Sequence, residues 1–205
     1  MSVIAIVPLK ALATAKGRLA DAMEPAQRQA FVAWMARRVL AACRACDDIS
    51  DVLVVAGDEA AAVVAREAGV TVLVVPEPGL GIALRRADAA TRDCDTTMVV
   101  AADLPEVTPA DLRAVVAAAQ GVQPAVVVAP THDGGTGALL RRPPSVMHTA
   151  YGVGSAAAHL ELARVAGVPA TVVHRPGLAH DVDTPGQLPA ALALVAQDDV
   201  GCRAR

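Results

Sequence analysis

Both lysines of the chain lie in one short loop, and this clustering is the first sign of chemistry. The 205-residue sequence contains 18 basic residues, yet only Lys10 and Lys16 are lysines, and Arg18 follows two positions later. Compact ammonium groups suit an anion such as a phosphate, and a guanidinium can bind the same anion through two parallel hydrogen bonds. We interpret the loop as a binding site for a negatively charged ligand; the alternative is a basic loop that is only solvated.

Three aspartates form a second candidate group, because their oxygens are the ligands that a hard divalent cation prefers. Asp103 follows a buried-strand pattern, and Asp181 and Asp183 leave an extended segment on the same side. Mg2+ binds one or two protein carboxylates and completes its shell with water and substrate phosphates, so we predict a magnesium site here. The alternatives are that Asp103 is a turn or cap residue, that Asp183 caps a helix and that Asp181 is solvated.

Two glycine-rich segments are typical of anion binding by backbone amides. Gly134 and Gly135 lead into the hydroxyl of Thr136, and Gly152 stands shortly before Ser155 at a predicted helix start. The second segment also matches the loose G-x-G-x-x-A dinucleotide pattern, but no buried strand precedes it, and the chain has no Walker-type loop. We therefore predict two seats for phosphate or carboxylate groups.

Two further patterns carry weaker signals. Gly79 and Gly81 open a predicted helix, where they could hold a base or ribose or could form only a tight turn. Cys43 and Cys46 form a C-x-x-C pair late in a helical pattern, without a second pair or a nearby ligand histidine. Packing is the favoured interpretation for these cysteines, rather than zinc or redox chemistry.

Short β-branched runs alternate with longer helical stretches, and this rhythm must position the candidate residues. It predicts an α/β fold in three layers with a mostly parallel sheet, buried on both faces. The predicted strands are 3–8, 51–56, 70–75, 97–102, 125–130 and 169–174, and the predicted helices are 25–46, 58–68, 81–93, 108–119, 155–166 and 184–197.

The segment 131–154 breaks the rhythm, since glycines, prolines and a short apolar stretch replace a plain helix. We interpret it as an inserted segment that faces a ligand. In open α/β sheets ligands bind outside the carboxyl ends of the strands, which is where the lysine loop and Asp103 are expected.

Composition excludes several classes of function. Hydrophobic residues make up 54% of the chain, aromatic residues 1%, and the net charge is −3, so neither a disordered protein nor a nucleic-acid binder is expected. No apolar run is long enough for a membrane span, no signal peptide is evident, and the four cysteines are too scattered for a disulfide framework. We expect one cytoplasmic domain over 1–205, with a frayed tail from about 198.

Five ordered motifs resemble those of a known family. They are VPLK…AKGRLA, AADLPEVTPADL, PTHDGGTGALL, GVGSAAAHLELA and DVDTPGQL, and together they span essentially the whole chain. This set resembles the CofC family, which comprises 2-phospho-L-lactate and phosphoenolpyruvate guanylyltransferases of coenzyme F420 biosynthesis. The resemblance implies a nucleotide-diphospho-sugar-transferase-like, Rossmann-like fold, with GTP and a small phosphorylated carboxylic acid as substrates.

The resemblance also implies roles for individual residues. Asp103, Asp181 and Asp183 would hold magnesium, and Lys16 and Arg18 would bind the triphosphate. The acceptor would lie against Thr136, Gly152 and Ser155. One departure is Gly81, where the family pattern would have Asn, and this weakens the case for a base-contacting loop. Related molybdenum-cofactor guanylyltransferases open with a glycine-rich loop that this sequence lacks.

The hypothesis that follows is transfer of GMP from GTP to the acceptor phosphate, with release of pyrophosphate. The rival interpretations are another nucleotidyltransferase on the same scaffold and a non-catalytic nucleotide-binding module. The sequence leaves open whether the acceptor is phosphoenolpyruvate, 2-phospholactate or 3-phosphoglycerate, since pocket shape decides this. It also leaves the oligomeric state open, with a homodimer as one candidate.

Overall fold

Seven strands and seven helices make up the computed structural model, which describes residues 2–203. The strands are β1 (Val3–Leu9), β2 (Ile49–Ala56), β3 (Thr71–Val74), β4 (Thr96–Val100), β5 (Ala125–Pro130), β6 (Thr136–Arg142) and β7 (Ala170–Val172). The helices are α1 (Pro25–Arg44), α2 (Glu59–Glu67), α3 (Leu80–Ala90), α4 (Pro109–Ala117), α5 (Ser155–Val165), α6 (Pro176–Ala179) and α7 (Leu188–Arg203). Single 3-10 turns lie at Gly17–Leu19, Pro144–Val146 and Pro185–Gln187.

All seven strands belong to one sheet in the order β3-β2-β1-β4-β6-β5-β7. Four neighbouring pairs are parallel, and the two pairs that involve β6 are antiparallel. The predicted mostly parallel sheet is confirmed. Because the chain goes from β1 to β2 on one side and returns to place β4 on the other, a crevice opens between the carboxyl ends of β1 and β4.

Helices cover both faces of the sheet, which makes three layers. On one face, α1, α2, α4 and α7 pack against alternate strand residues such as Ala5 and Val7. On the other face, α3 and α5 pack against Ile6, Val99 and Leu139. Burial on both sides explains why the strands are almost continuous runs of Val, Ile and Leu. The predicted architecture and its two-sided core are confirmed.

Two threonine–proline pairs begin helical segments. Thr108 accepts a hydrogen bond from the backbone amide of Asp111 in a capping box at the start of α4, and Thr184 forms the same arrangement before the turn at Pro185–Gln187. The last helix begins after that turn and continues to Arg203, beyond the predicted end at 197. The frayed tail expected from about 198 stays a prediction. Asp198 within this helix accepts hydrogen bonds from Trp34 and Arg38.

The segment predicted as an insertion contains a strand of the central sheet. β6 lies between β4 and β5 and runs antiparallel to both. Its sequence, TGALLRR, has a glycine and no Val or Ile, and Arg141 within it is fully buried, where it pairs with Asp88. Because its residues have low β-propensity and include a buried charge, the hydrophobic pattern of the sequence does not predict this strand.

No helix among residues 2–203 has the length and apolarity to cross a membrane.

Candidate active site

A cavity of about 260 Å³ occupies the crevice at the carboxyl ends of β1 and β4. Antiparallel β6 matters here, because its first residues, rather than its last, reach this edge of the sheet. The side chains and glycines that line the cavity include Lys10, Lys16, Asp103, Thr131, Asp133, Gly135, Thr136, Tyr151, Gly152, Ser155, Asp181 and Asp183. The lysine loop, the three aspartates and both glycine-rich segments therefore contribute to one site.

Lys16 is the centre of the charged end of this cavity. Its ammonium group donates to the carboxylates of Asp103 and Asp183, with 3.0 Å between Nζ and Asp183 Oδ1. The side chain is only 10% exposed, and its backbone is left-handed with φ of 53°. Burial lowers the pKa of Lys16, but the two carboxylates outweigh it and raise the pKa above its usual value. Lys16 is therefore held charged between two acids.

Arg18 approaches the same carboxylate from the solvent side. Its Nη1 lies 2.8 Å from Asp183 Oδ2, and its side chain is 74% exposed. Burial opposes ionisation of Asp183, but hydrogen bonding to Lys16 and the charges of Lys16, Arg18 and Lys10 hold its pKa below the usual value. An exposed guanidinium beside the cavity is free to turn toward a phosphate.

Asp181 differs from the other two predicted metal ligands because it has excess negative charge around it. Burial raises its pKa, and the neighbouring carboxylates of Asp103 and Asp133 raise it further. A site with surplus carboxylate charge suits a cation.

The carboxylates do not form a closed metal site by themselves. Within residues 2–203 no three His, Cys, Asp or Glu side chains are grouped to hold a metal ion. Mg2+ needs only one or two protein carboxylates, with phosphates and water completing its shell, so the oxygen donors of Asp103, Asp181 and Asp183 suit an ion that arrives with substrate. The predicted ligand set stays a prediction.

The Asp181–Asp183 segment is fixed by close backbone packing. A Cβ on Gly137 would lie 2.1 Å from the carbonyl oxygen of Leu178, and a Cβ on Gly177 would lie 2.3 Å from an oxygen of Asp111. Downstream, the amide of Val182 donates to the Asp103 carbonyl at 3.2 Å. These contacts bring the segment against β6 and against the loop after β4.

The capping roles considered for the aspartates belong to other residues. Thr108 caps α4, and Thr184 is the cap residue before Pro185. Asp103 and Asp183 instead direct their carboxylates to Lys16. This geometry favours a role at the site over the capping alternative.

A second group of side chains at the cavity, which we call its neutral end, is uncharged and buried. Thr136 Oγ1 lies 2.9 Å from Ser155 Oγ and 3.1 Å from His159 Nδ1. The amide of Ala150 donates to His159 Nε2 at 2.9 Å. Burial lowers the pKa of His159 to about 4, and the charges of Arg141 and His148 act in the same direction. The predicted hydroxyls therefore belong to a connected network, whereas the histidine behind them was not predicted.

Three further cavity residues, Thr131, Asp133 and Tyr151, were not predicted as site residues. Asp133 accepts from the Thr131 hydroxyl at 2.5 Å and from the Gly135 amide at 2.9 Å, and these bonds hold its pKa below the usual value. The Tyr151 hydroxyl is buried without a hydrogen-bond partner among the described residues, and burial raises its pKa. The position of Asp133 directly before two glycines was a sequence signal that could have identified it. For Tyr151 the sequence offered no signal except that it is the single tyrosine of the chain.

Some predicted residues lie beside the cavity rather than in its lining. Gly79 is the cap residue of α3 with φ of 120°, Gly81 lies in its first turn, and between them Leu80 lines the cavity. The carbonyl of Gly134 accepts from the Ala156 amide at 3.2 Å. The nucleotide-binding role of Gly79 and Gly81 and the substrate-binding role of Gly134 stay predictions.

The C-x-x-C pair lies away from the cavity. Cys43 and Cys46 are both buried in the core. Burial raises the pKa of the Cys43 thiol to about 12, which leaves it protonated and unreactive. The packing interpretation agrees with this position.

Solved structures of other nucleotide-handling proteins share the fold. A protein from Desulfovibrio desulfuricans G20 assigned to the nucleotide-diphospho-sugar transferases superposes with a TM-score of 0.75 at 16% identity, covering 99% of this chain and 97% of that one. A nucleotidyl transferase from Methanothermobacter gives a TM-score of 0.67 at 19% identity, covering 95% and 98%. These likenesses confirm the predicted nucleotide-diphospho-sugar-transferase-like fold.

Sequence relatives are closer. A phosphoenolpyruvate guanylyltransferase from Sphaerobacter thermophilus is 38% identical over 191 residues, which cover 92% of this chain and 91% of that protein. A 3-phospho-D-glycerate guanylyltransferase from Colwellia psychrerythraea is 29% identical, with 89% and 88% covered. The model of the family described as "Guanylyl transferase CofC like" matches residues 3–197. The motif resemblance is thereby confirmed, and the chain belongs to the family of CofC-like guanylyl transferases.

Proposed function

We propose that this protein transfers GMP from GTP to the phosphate of a small phosphorylated carboxylic acid and releases pyrophosphate. The main support is that one cavity contains two kinds of surface. Its charged end has Lys16 and its carboxylate partners, and its neutral end has the hydroxyls of Thr136 and Ser155. A nucleotide triphosphate needs the first kind of surface, and a compact oxygen-rich acceptor needs the second.

The reaction requires in-line attack of an acceptor phosphate oxygen on the α-phosphorus of GTP. The new bond joins that oxygen to phosphorus as the bond to the β-phosphate oxygen breaks, and pyrophosphate leaves with the electron pair. The attacking oxygen is already anionic, so no general base has to remove a proton. Catalysis then rests on positioning the two phosphates and on stabilising the charge that develops between them.

Lys16, which is buried, and Lys10 supply positive charge that stabilises the phosphates, and Arg18 binds the triphosphate from the solvent side. Lys16 is already charged and aimed by its two carboxylate partners, so it does not have to reorganise during the reaction. Gly79, Gly81 and the Leu80 between them are the candidates for contact with the nucleoside.

Asp103, Asp181 and Asp183 would hold magnesium when the substrate phosphates arrive. The ion supplies charge neutralisation at the transferred phosphoryl group. The excess of carboxylate charge around Asp181 supports this assignment.

On the acceptor side, Thr136 and Ser155 offer hydroxyls, and Gly135 and Gly152 bring backbone to the lining without a side chain. We propose phosphoenolpyruvate as acceptor, supported by the name of the Sphaerobacter relative, with the product entering coenzyme F420 biosynthesis in the cytoplasm. The Colwellia relative makes 3-phosphoglycerate the first alternative to test.

The testing experiment measures pyrophosphate release from GTP and Mg2+ with phosphoenolpyruvate, 2-phospholactate, 3-phosphoglycerate or no acceptor. ATP, CTP and UTP are the nucleotide controls. Release that requires GTP and one of these acceptors supports the proposal and identifies the acceptor. Folded protein that is silent with every combination contradicts it, and release with CTP in place of GTP would indicate a different nucleotidyltransferase.

A further inference from the structure

A buried histidine lies directly behind the hydroxyls at the neutral end of the cavity. His159 belongs to α5, has no exposed surface, and does not line the cavity itself. Both of its ring nitrogens have a partner within hydrogen-bond distance. Nε2 lies near the backbone amide of Ala150, and Nδ1 lies near the hydroxyl of Thr136. The edge-to-face contact with Tyr151, with ring centroids 4.9 Å apart, fixes the ring from the side.

The backbone partner decides which ring nitrogen carries the proton. An amide N–H can only donate, so Nε2, 2.9 Å from the Ala150 nitrogen, must accept and must be unprotonated. A neutral ring then carries its proton on Nδ1 and donates it to Thr136 Oγ1 at 3.1 Å. In the protonated ring, an N–H on Nε2 would face the N–H of Ala150, and two donors repel each other. The lowered pKa of His159 agrees with a neutral ring.

The direction of that bond controls how many hydroxyl hydrogens remain for a ligand. With Nδ1 as donor, the histidine, Thr136 and Ser155 contribute three hydrogens, and the two bonds among them use two. One hydroxyl hydrogen is left, and both hydroxyls line the cavity. With the other tautomer, Thr136 would donate to the ring and Ser155 to Thr136, so no hydrogen would remain.

We propose that His159 is a positioning residue that, by donating from Nδ1 to Thr136, keeps one hydroxyl hydrogen of the Thr136–Ser155 pair free to bind the anionic acceptor. This rests on the proposed function, because it takes these hydroxyls as the acceptor seat. A hydroxyl hydrogen that points at an anion binds it, whereas oxygen lone pairs that point at it repel it. The tautomer of His159 therefore determines whether the neutral end attracts the acceptor.

Two matched substitutions separate the donor from the bulk of the ring. In His159→Asn the side-chain nitrogen can occupy the position of Nδ1 and keep the donor to Thr136. In His159→Gln the amide reaches the position of Nε2 instead, which keeps the Ala150 contact but leaves no partner at Nδ1 to orient the Thr136 hydroxyl. Both remove the ring and its packing against Tyr151.

We expect His159→Gln to raise KM for the acceptor about fivefold to tenfold, with kcat and KM for GTP changed less than about threefold, because the free hydroxyl hydrogen is no longer held toward the acceptor and binding has to order it. We expect His159→Asn to keep the acceptor KM within about threefold of the parent. Equal effects of the two substitutions, whether both large or both absent, would overturn the proposal.

A spectroscopic measurement tests the tautomer without substrate. In a long-range 15N–1H spectrum, assigned by the signal missing from His159→Gln, the protonated nitrogen of His159 should couple strongly to one carbon-bound ring proton, and the unprotonated nitrogen to both. Protonation on Nε2 would reverse this pattern and refute the inference. If the parent enzyme transfers to no acceptor, the proposed function fails while this spectrum still decides the tautomer.

Discussion

The two ends of the cavity solve different problems with different kinds of side chain. At the charged end, Lys16 lies between Asp103 and Asp183, and Arg18 reaches in from solvent. At the neutral end, hydroxyls and a neutral imidazole form a chain in which every member is buried. Both ends lie on the same sheet edge, so the difference between them is chemical rather than architectural.

This contrast teaches where rate and selectivity are expected to reside. Charged groups that are already aimed at one another can stabilise developing charge without reorganising, which lowers the barrier of the chemical step. A buried hydroxyl chain has few orientations, and a ligand that mismatches it leaves polar groups unpaired, which separates similar acceptors. Substitutions of the buried and metal-facing groups at the charged end should therefore change kcat, and those at the neutral end should change the acceptor KM.

The largest effect is expected from Asp103→Asn. Removing this charge leaves Lys16 with one carboxylate and removes a proposed magnesium ligand, so kcat should fall about a hundredfold or more, since each 1.4 kcal/mol or so of lost stabilisation is about tenfold. Steady-state pyrophosphate release measures this, and Asp93→Asn at an exposed position is the matched control. Near-parental kcat would remove the charged end from the catalytic step.

The next effect is expected from Ser155→Ala. It deletes one member of the hydroxyl chain and should raise the acceptor KM about tenfold to a hundredfold while leaving KM for GTP unchanged, as for a lost hydrogen bond to a charged group. Initial rates at varied acceptor and saturating GTP give this value. Exposed Ser145→Ala is the control, and a change confined to GTP would reverse the assignment of the two ends.

A smaller effect is expected from Arg18→Ala. The guanidinium is mostly exposed, and such pairs contribute about 1 kcal/mol or less, so KM for GTP should rise by about twofold to fivefold. The increase should shrink at high salt, since exposed charges are screened. Arg92→Ala, which is equally exposed, should change nothing, and a loss as large as that of Asp103→Asn would place Arg18 in the chemical step.

The smallest effect concerns stability against pH at the neutral end. Between a folded pKa of about 4 and an ordinary value of 6.5, His159 binds fewer protons in the folded state than in the unfolded state. Its contribution to stability is therefore full above the ordinary value and is lost as pH falls toward the folded one. Arg141 and His148 face the ring and strengthen this trend.

Urea unfolding at about pH 7.5 and about pH 5 measures the trend, because the parent should lose more free energy of unfolding than His159→Asn does. Exposed Ser145→Ala is the control, and it should keep the parental difference. Identical pH dependence in the parent and in His159→Asn would show that the ring is not held neutral by the fold.

The charged end could be predicted from sequence because its signals are local. Two lysines in one loop and two aspartates two positions apart are visible without knowing the fold, and the strand pattern before Asp103 places it at the same edge. The sheet beyond β4 could not be predicted in full, since β6 has a glycine, no β-branched aliphatic residues and a buried arginine. Its hydrophobic pattern does not separate it from a loop.

The neutral end was predicted only in its outer layer. Thr136 and Ser155 were identified from glycine-rich segments, whereas His159 reads as one more position on an apolar helix. Its partner on the other side, the amide of Ala150, belongs to a loop that no periodic pattern describes. A network that joins a strand, a helix and a loop is a property of their tertiary arrangement, so single-sequence reasoning does not reach it.

Two glycines at the contacts of α6, Gly137 in β6 and Gly177 within α6, restrict how this site can diverge. Any side chain at Gly137 or Gly177 would overlap Leu178 or Asp111, so neither position tolerates even alanine without moving backbone. Homologues with altered acceptor preference are therefore expected to vary the loops around these contacts and to keep both positions. Libraries built to redirect this enzyme should hold the pair constant and diversify positions such as Thr131 and Tyr151, whose side chains line the cavity and take no part in these close backbone contacts.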